Sequence, residues 1–301
     1  MRRGFFISSC LSIVVVFSAC EAEPVLKVFD QSQEIETEEQ EEEARVIWQV
    51  IEERAYDGRD QLLSRTTYEY DEEGRPVREM TYSREDLVRE LCYTYDEKGH
   101  ILTQEEVGPN GQILRGEESI YDEQGNRTYY KVTEESGKVT EFSNEYTYDE
   151  QGHMLTCAYY YNGTKNGTEV YTYDDQGRLI RMEDGDHLFE YEYEGDLLAQ
   201  IYEEDGLGWY TTFSYDEEGR LVLQERLFAL DRSLVEALRY TYDTDGRLIR
   251  EETLDEEGSS KGTITYDYDE YGNPIRRMVY DEAGNVVSYE TKEYGQIRDQ
   301  G

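Results

Sequence analysis

Cysteine, histidine and basic residues are all scarce in this chain, and each shortage removes a class of function. The three histidines, His100, His153 and His187, and the four cysteines form no cluster. No Cys/His group has the spacing of a zinc site, and no Ser-His-Asp or Cys-His grouping is in view. Lys and Arg number 30 against 70 Asp and Glu, for a net charge of −40. A surface that negative repels nucleic acid, heparin-like glycans and anionic membrane or wall polymers, and it favours solubility or a basic partner. Carboxylates are so abundant that a pair of them singles out no acid–base site. Turns such as Asp255-Glu-Glu-Gly258 lack the alternating oxygens of a calcium loop, and no glycine-rich phosphate loop occurs. The expectation is therefore no enzyme, no metal and no cofactor. Helical periodicity is also missing from Val46 to Gln296.

Long apolar runs are confined to one place. Phe5 to Phe17 is apolar except for three serines, follows Arg2-Arg3, and is too short for a comfortable membrane span. Residues 1–19 thus read as a signal peptide. Phe17-Ser18-Ala19-Cys20 resembles a bacterial lipoprotein box, which implies that Cys20 is lipidated and becomes the first mature residue. The alternative is an ordinary signal peptide cut near Ala19. Either way the chain is exported, and the lipoprotein reading places it on the bacterial cell envelope, held to the membrane and facing outward. Residues 20–44 form an acidic linker: seven glutamates fall between 34 and 43 with no basic residue, a composition that cannot bury a core. Of the remaining cysteines, Cys92 and Cys157 lie about five strands apart, over roughly 20 Å at about 4.8 Å per strand, and read as free, half-buried thiols.

What the chain does have is a repeat. Tyr-x-Tyr-Asp-x-x-Gly recurs as Tyr68/Tyr70-Asp71-Gly74, Tyr93/Tyr95-Asp96-Gly99, Tyr146/Tyr148-Asp149-Gly152, Tyr171/Tyr173-Asp174-Gly177, Tyr240/Tyr242-Asp243-Gly246 and Tyr266/Tyr268-Asp269-Gly272. Looser copies stand at Tyr121-Asp122-Gly125 and Phe213/Tyr215-Asp216-Gly219, with a shortened one at Tyr191/Tyr193-Glu194-Gly195. The second aromatic falls at 70, 95, 121, 148, 173, 193, 215, 242, 268 and 294. A period of this size marks one supersecondary unit stacked about ten times. Tyr, Thr and branched residues alternate before each turn, and Asp-x-x-Gly suits a type I turn closed by a left-handed glycine. That turn places the aspartate opposite the residue after the glycine: Arg75, Arg178, Arg220 and Arg247, His100 and His153, Asn126 and Asn273. It also sets the second tyrosine against Ile101, Met154, Leu179, Leu221 or Leu248, with Pro76 and Pro274 at the ends. The fold class expected is all-β: a single-layer, coiled antiparallel β-meander of about twenty strands over residues 45–296, with 297–301 as a tail. Twist near 20–25° per strand accumulates a full turn in about sixteen strands. Charged side chains on its outer strands are expected to discourage edge pairing.

The motif with its following Arg-Leu resembles the YD repeat of the Rhs family, over roughly residues 46–295. The resemblance implies a spiralling antiparallel sheet, which large members close into a shell around a toxin or build into a surface stalk. Here no Asp-Pro dipeptide occurs, so the self-cleaving core element of the large members is not matched. Ten units are also few to enclose a folded domain. The expected role is an envelope-anchored, non-enzymatic repeat lipoprotein binding a protein or neutral glycan through an acidic tyrosine-rich β-surface. A monomer without nucleic-acid partners is expected. The alternative is a scaffold or neutralising component of a polymorphic-toxin or contact system related to large Rhs proteins. Candidate binding residues are those outside the repeat register: Tyr159, Tyr160 and Tyr161, and Trp209 and Tyr210. The latter pair lies where the two shortened steps meet and Gly206 and Gly208 loosen the chain.

Overall fold

The computed structural model describes residues 46–185 and 187–298. The signal peptide, Cys20, the acidic linker and residues 299–301 lie outside them. All regular structure among the described residues is strand. The first ten are β1 (Val46–Asp57), β2 (Leu62–Tyr70), β3 (Pro76–Ser83), β4 (Asp86–Tyr95), β5 (Ile101–Val107), β6 (Ile113–Tyr121), β7 (Arg127–Glu134), β8 (Val139–Tyr148), β9 (Met154–Tyr161) and β10 (Thr164–Tyr173). Then follow β11 (Leu179–Asp184), β12 (His187–Glu194), β13 (Leu197–Glu204), β14 (Trp209–Tyr215), β15 (Leu221–Phe228), β16 (Leu234–Tyr242), β17 (Leu248–Leu254), β18 (Ser260–Tyr268), β19 (Pro274–Asp281) and β20 (Val286–Arg298). Every strand pairs antiparallel with the next, as the repeat predicts.

The repeat alone does not announce how the sheet ends. β1 pairs with β20 from Val46↔Arg298 to Asp57↔Ser288, so the meander closes on itself and has no edge. Charged outer strands are not needed as protection, because the twist that coils the sheet has brought its first and last strands together. Ile297 and Arg298, expected in the tail, belong to this seam. At about 4.8 Å per strand, twenty strands give a barrel roughly 30 Å across.

The local geometry follows the sequence closely. In the Asp243 turn the Gly246 N–H donates to the Asp243 carbonyl (3.1 Å), the Asp243 N–H donates to the Arg247 carbonyl (2.9 Å), and Gly246 has φ of 83°. That angle is open to glycine and strained for other residues. Each turn bulges by one residue, which sets Tyr70 opposite Pro76, Tyr95 opposite Ile101, Tyr173 opposite Leu179 and Tyr242 opposite Leu248.

The two tyrosines of a unit point to the same face, along with Leu91, Val132, Cys157, Tyr171, Met182, Phe189, Tyr191 and Phe213, all buried. Leu63, Val88, Ile120 and Val170, on the other face, are exposed. In a single closed layer only side chains aimed at the axis converge enough to bury one another, so the tyrosine face lines the inside. The densest cluster spans β9 to β12: Met154, Cys157, Tyr171, Met182, Phe189 and Tyr191. Cys92 is a free thiol. Cys157 differs from expectation in being wholly buried rather than half-buried.

Connectivity gives the barrel two different rims. The Asp-x-x-Gly turns that follow the paired repeat aromatics lie at one, together with Val46 and Arg298. The second, looser turns lie at the other, the far rim.

Candidate functional site

The Asp-turn rim is a continuous framework. Asp71 Oδ2 accepts from Arg75 Nε at 2.7 Å, and the same pairing joins Asp174 to Arg178, Asp216 to Arg220 and Asp243 to Arg247. His100 and His153 occupy this slot against Asp96 and Asp149 at 2.8 Å, and Asn273 does so against Asp269 at 2.9 Å. The Arg and His partners then cover a tyrosine ring of the next unit. Arg75 lies 4.8 Å over Tyr95, Arg220 5.0 Å over Tyr242 and Arg247 5.1 Å over Tyr268, while His100 and His153 stack on Tyr121 and Tyr173. The same tyrosines donate back across the joint. Tyr95 donates to the Pro76 carbonyl (2.6 Å), Tyr173 to Met154 (2.9 Å), Tyr242 to Leu221 (2.8 Å) and Tyr268 to Leu248 (2.6 Å). Tyr148 instead donates to Asp122 Oδ2 and accepts from Asn126 Nδ2. Aspartate, cation and ring thus bolt each hairpin to its neighbour, and all three groups are occupied with one another.

These contacts set the ionisation of the belt. Backbone N–H bonds from Arg178, then its guanidinium, hold the Asp174 carboxyl below its ordinary 3.8. Burial, then the carboxylates of Glu79 and Glu53, pushes the Tyr70 phenol up to about 12; burial, then Glu251, does the same for Tyr240. Deeper on the inner face, Tyr68 donates to Glu53 (2.8 Å) and Tyr93 to Glu79 (3.1 Å), and Tyr266 is bonded to Glu251. Among the described residues no three His, Cys, Asp or Glu gather as a metal site would require.

Both sets of candidate residues lie at the far rim, but not together. Trp209 and Tyr210 open β14, five strands from β9 and about 24 Å away along the sheet at about 4.8 Å per strand. Trp209 Nε1 donates to Asp205 Oδ2 (3.1 Å), its ring lies 4.7 Å from Phe228, and Arg226 sits 4.5 Å over it. Arg232 covers Tyr210 at 3.2 Å and donates to Gln200 Oε1 at 2.7 Å. The Ala229 N–H donates to the Gly208 carbonyl (3.2 Å), which ties the β13–β14 and β15–β16 tips together. Beside this clamped platform Leu207 and Leu230 stand 73% and 96% exposed.

Tyr159, Tyr160 and Tyr161 split by the two-residue period of β9. Tyr159 and Tyr161 share the inner face, whereas Tyr160 points to the other and donates to Glu145 Oε2 (2.8 Å). The three border a cleft of about 320 Å³ whose other walls are Tyr130, Phe142, Asn144 and Asn166. Tyr159 donates to both oxygens of Asp184, at 2.9 and 3.0 Å, and burial followed by that carboxylate pushes its phenol up to about 12. Tyr130 is off the repeat register, so it carries a sequence signal. Phe142 is legible only as an aromatic two alternations before Tyr146. Asn166 is not legible, because it reaches the cleft through a bulge between Lys165 and Gly167.

Fold and rim together define a class: a closed single-layer barrel of tandem Tyr-Asp hairpins, each cross-linked to the next. The Teneurin YD-shell family matches residues 39–288, and the chain belongs to that family. Among solved structures it is similar to TcdB2-TccC3, at 16% identity and a TM-score of 0.37, over 76% of this chain and 15% of that one. It is also similar to the Photorhabdus luminescens Tc holotoxin pore, at 14% identity and a TM-score of 0.38, over 77% and 15%. A porin-like protein from Bacteroides uniformis is similar at 8% identity and a TM-score of 0.33, over 82% of this chain and 98% of that one. The chain therefore spans about 15% of the length of the first two. No curated protein matches it in sequence.

Proposed function

We propose that this chain is an envelope-anchored, non-enzymatic lipoprotein whose YD-shell presents an acidic, tyrosine-rich surface for a protein or neutral glycan. One observation supports it above the rest. Val46, the first described residue after the acidic linker, sits at the Asp-turn rim, whereas Trp209, Tyr210, Tyr159 and Tyr161 sit at the opposite one. A lipid on Cys20 would hold the first rim toward the membrane and turn the aromatic rim outward. The linker reaches up to about 80 Å at roughly 3.3 Å per residue, enough to clear a crowded surface. The charge of −40 keeps nucleic acid away and favours a monomer off an anionic envelope.

The test is fractionation combined with capture. Wild-type protein is expected in the membrane fraction with label from radioactive palmitate, and Cys20→Ser in the soluble exported fraction without it. The full-length protein, used as bait in solubilised envelope, is expected to retain a specific protein or glycan. Retention of a large YD-repeat toxin would instead favour the scaffold or neutralising role, and loss of binding on changing a single carboxylate with turnover of a substrate would favour an enzyme.

A further inference from the structure

We propose that the far-rim cleft beside β8–β10 binds a neutral sugar residue; this rests on the binding role above and names its ligand class and site. Its wall is a row of stacked groups on three consecutive strands. Arg127 lies 4.1 Å over Tyr130, Tyr130 is parallel to Phe142 at 4.2 Å, and Phe142 and Tyr161 meet in a T-shaped contact at 5.4 Å. The row ends at Tyr161, which is 46% exposed and stands opposite the small Thr164. The last ring is thus fixed from one side and offered to solvent on the other, the arrangement on which the C–H face of a sugar ring stacks.

The floor is made by an absence. A Cβ on Gly167 would fall 2.1 Å from the Tyr159 hydroxyl, so only glycine lets that ring cross β10 to reach Asp184. Two amides complete the recognition chemistry. Asn144 gives its Nδ2 to the Arg127 carbonyl (3.0 Å) and to the Tyr146 hydroxyl (3.1 Å), which orients its Oδ1 as an acceptor. Asn166, the extra residue of the bulge, is exposed and carries both a donor and an acceptor. A space of about 320 Å³ is within the size range of small-ligand sites. No cation is among its lining residues, the Arg127 guanidinium standing behind Tyr130, and Asp184 lies at the Tyr159 hydroxyl, so uronic and sialic acids are disfavoured.

Titration of the full-length protein with cellotriose, maltotriose and chitotriose, and with trigalacturonate as the anionic control, tests this. At least one neutral trisaccharide is expected to bind saturably and trigalacturonate not at all. Tyr161→Ala, at an exposed position, should weaken that binding by about tenfold or more. Gly167→Val should do likewise, with an unchanged circular-dichroism spectrum checking its fold, and Val88→Ala, on the exposed outer face of β4, should leave it unaltered. Neutral-sugar binding that survives both Tyr161→Ala and Gly167→Val overturns the assignment of the site. Absence of binding to every neutral trisaccharide overturns the ligand class, while capture of an envelope protein by the same preparation would leave the binding role standing.

Discussion

Removing the hydroxyls that bolt one hairpin to the next should weaken the barrel by a calculable amount. Tyr95, Tyr173 and Tyr242 donate to the carbonyls of Pro76, Met154 and Leu221 at 2.6, 2.9 and 2.8 Å. Changing each to Phe keeps the ring under its Arg or His neighbour and deletes only the hydrogen bond. A hydrogen bond of this kind contributes about 0.5–1.5 kcal/mol net. The three lie on β4, β10 and β16 and share no partner, so their effects should add, to about 3 kcal/mol. Against a total of about 5–15 kcal/mol that is a large fraction. At about 2–4 °C per kcal/mol for a chain of this size, the triple variant should melt roughly 6–12 °C lower. Urea titration should show the midpoint falling with an unchanged slope, since the same surface is exposed on unfolding. Tyr160→Phe, whose hydroxyl meets only the exposed Glu145, is the control and should move little. A triple variant that melts with the wild type would refute the idea that these hydroxyls hold the units together.

Other expectations follow from the same contacts. Gly246→Ala forces a Cβ into a φ of 83°, and a cost of about 1–2 kcal/mol should appear in the denaturation midpoint. Phenols whose folded value is raised, such as Tyr70 and Tyr240 at about 12, stabilise the fold fully below their ordinary 10, and that contribution is lost as pH rises above it. Titration of phenolate absorbance should therefore show late, cooperative ionisation that coincides with loss of β-structure. The turn aspartates act in the opposite sense: Asp174, held below 3.8, contributes above that value and loses its contribution as pH falls through its folded value. Stability measured in urea should accordingly drop below about pH 4, less steeply in an Arg178→Gln variant.

The local geometry was legible because every unit repeats the same instructions. Asp-x-x-Gly specifies the turn, the turn specifies the Asp–Arg pair, and the bulge specifies which residue the second tyrosine meets. Closure was not legible in this way. Twist per strand has a broad range, so the repeat indicates coiling without giving the strand number at which β1 and β20 coincide. Contacts between units were also hidden. Nothing in the Tyr242 unit alone says that its hydroxyl reaches Leu221 of the unit before, or that Arg220 covers its ring. At the candidate sites, the tyrosine triplet and Trp209 stood out as departures from the register, and both lie at the far rim. Their separation follows only from counting strands around the barrel. The cleft also needed Asn166, placed by a bulge that the sequence does not advertise.

The seam between β1 and β20 makes the unit count a property of the whole molecule. In an open stack, duplicating a hairpin pair lengthens one end and leaves the rest alone. Here an added or deleted pair must widen or narrow the entire hoop, altering the curvature felt by every joint. Partial removal would be worse, because it would bare two long strands with complementary unpaired backbones, each ready to join another molecule. Such a chain can accept substitutions freely and changes of length only in whole steps.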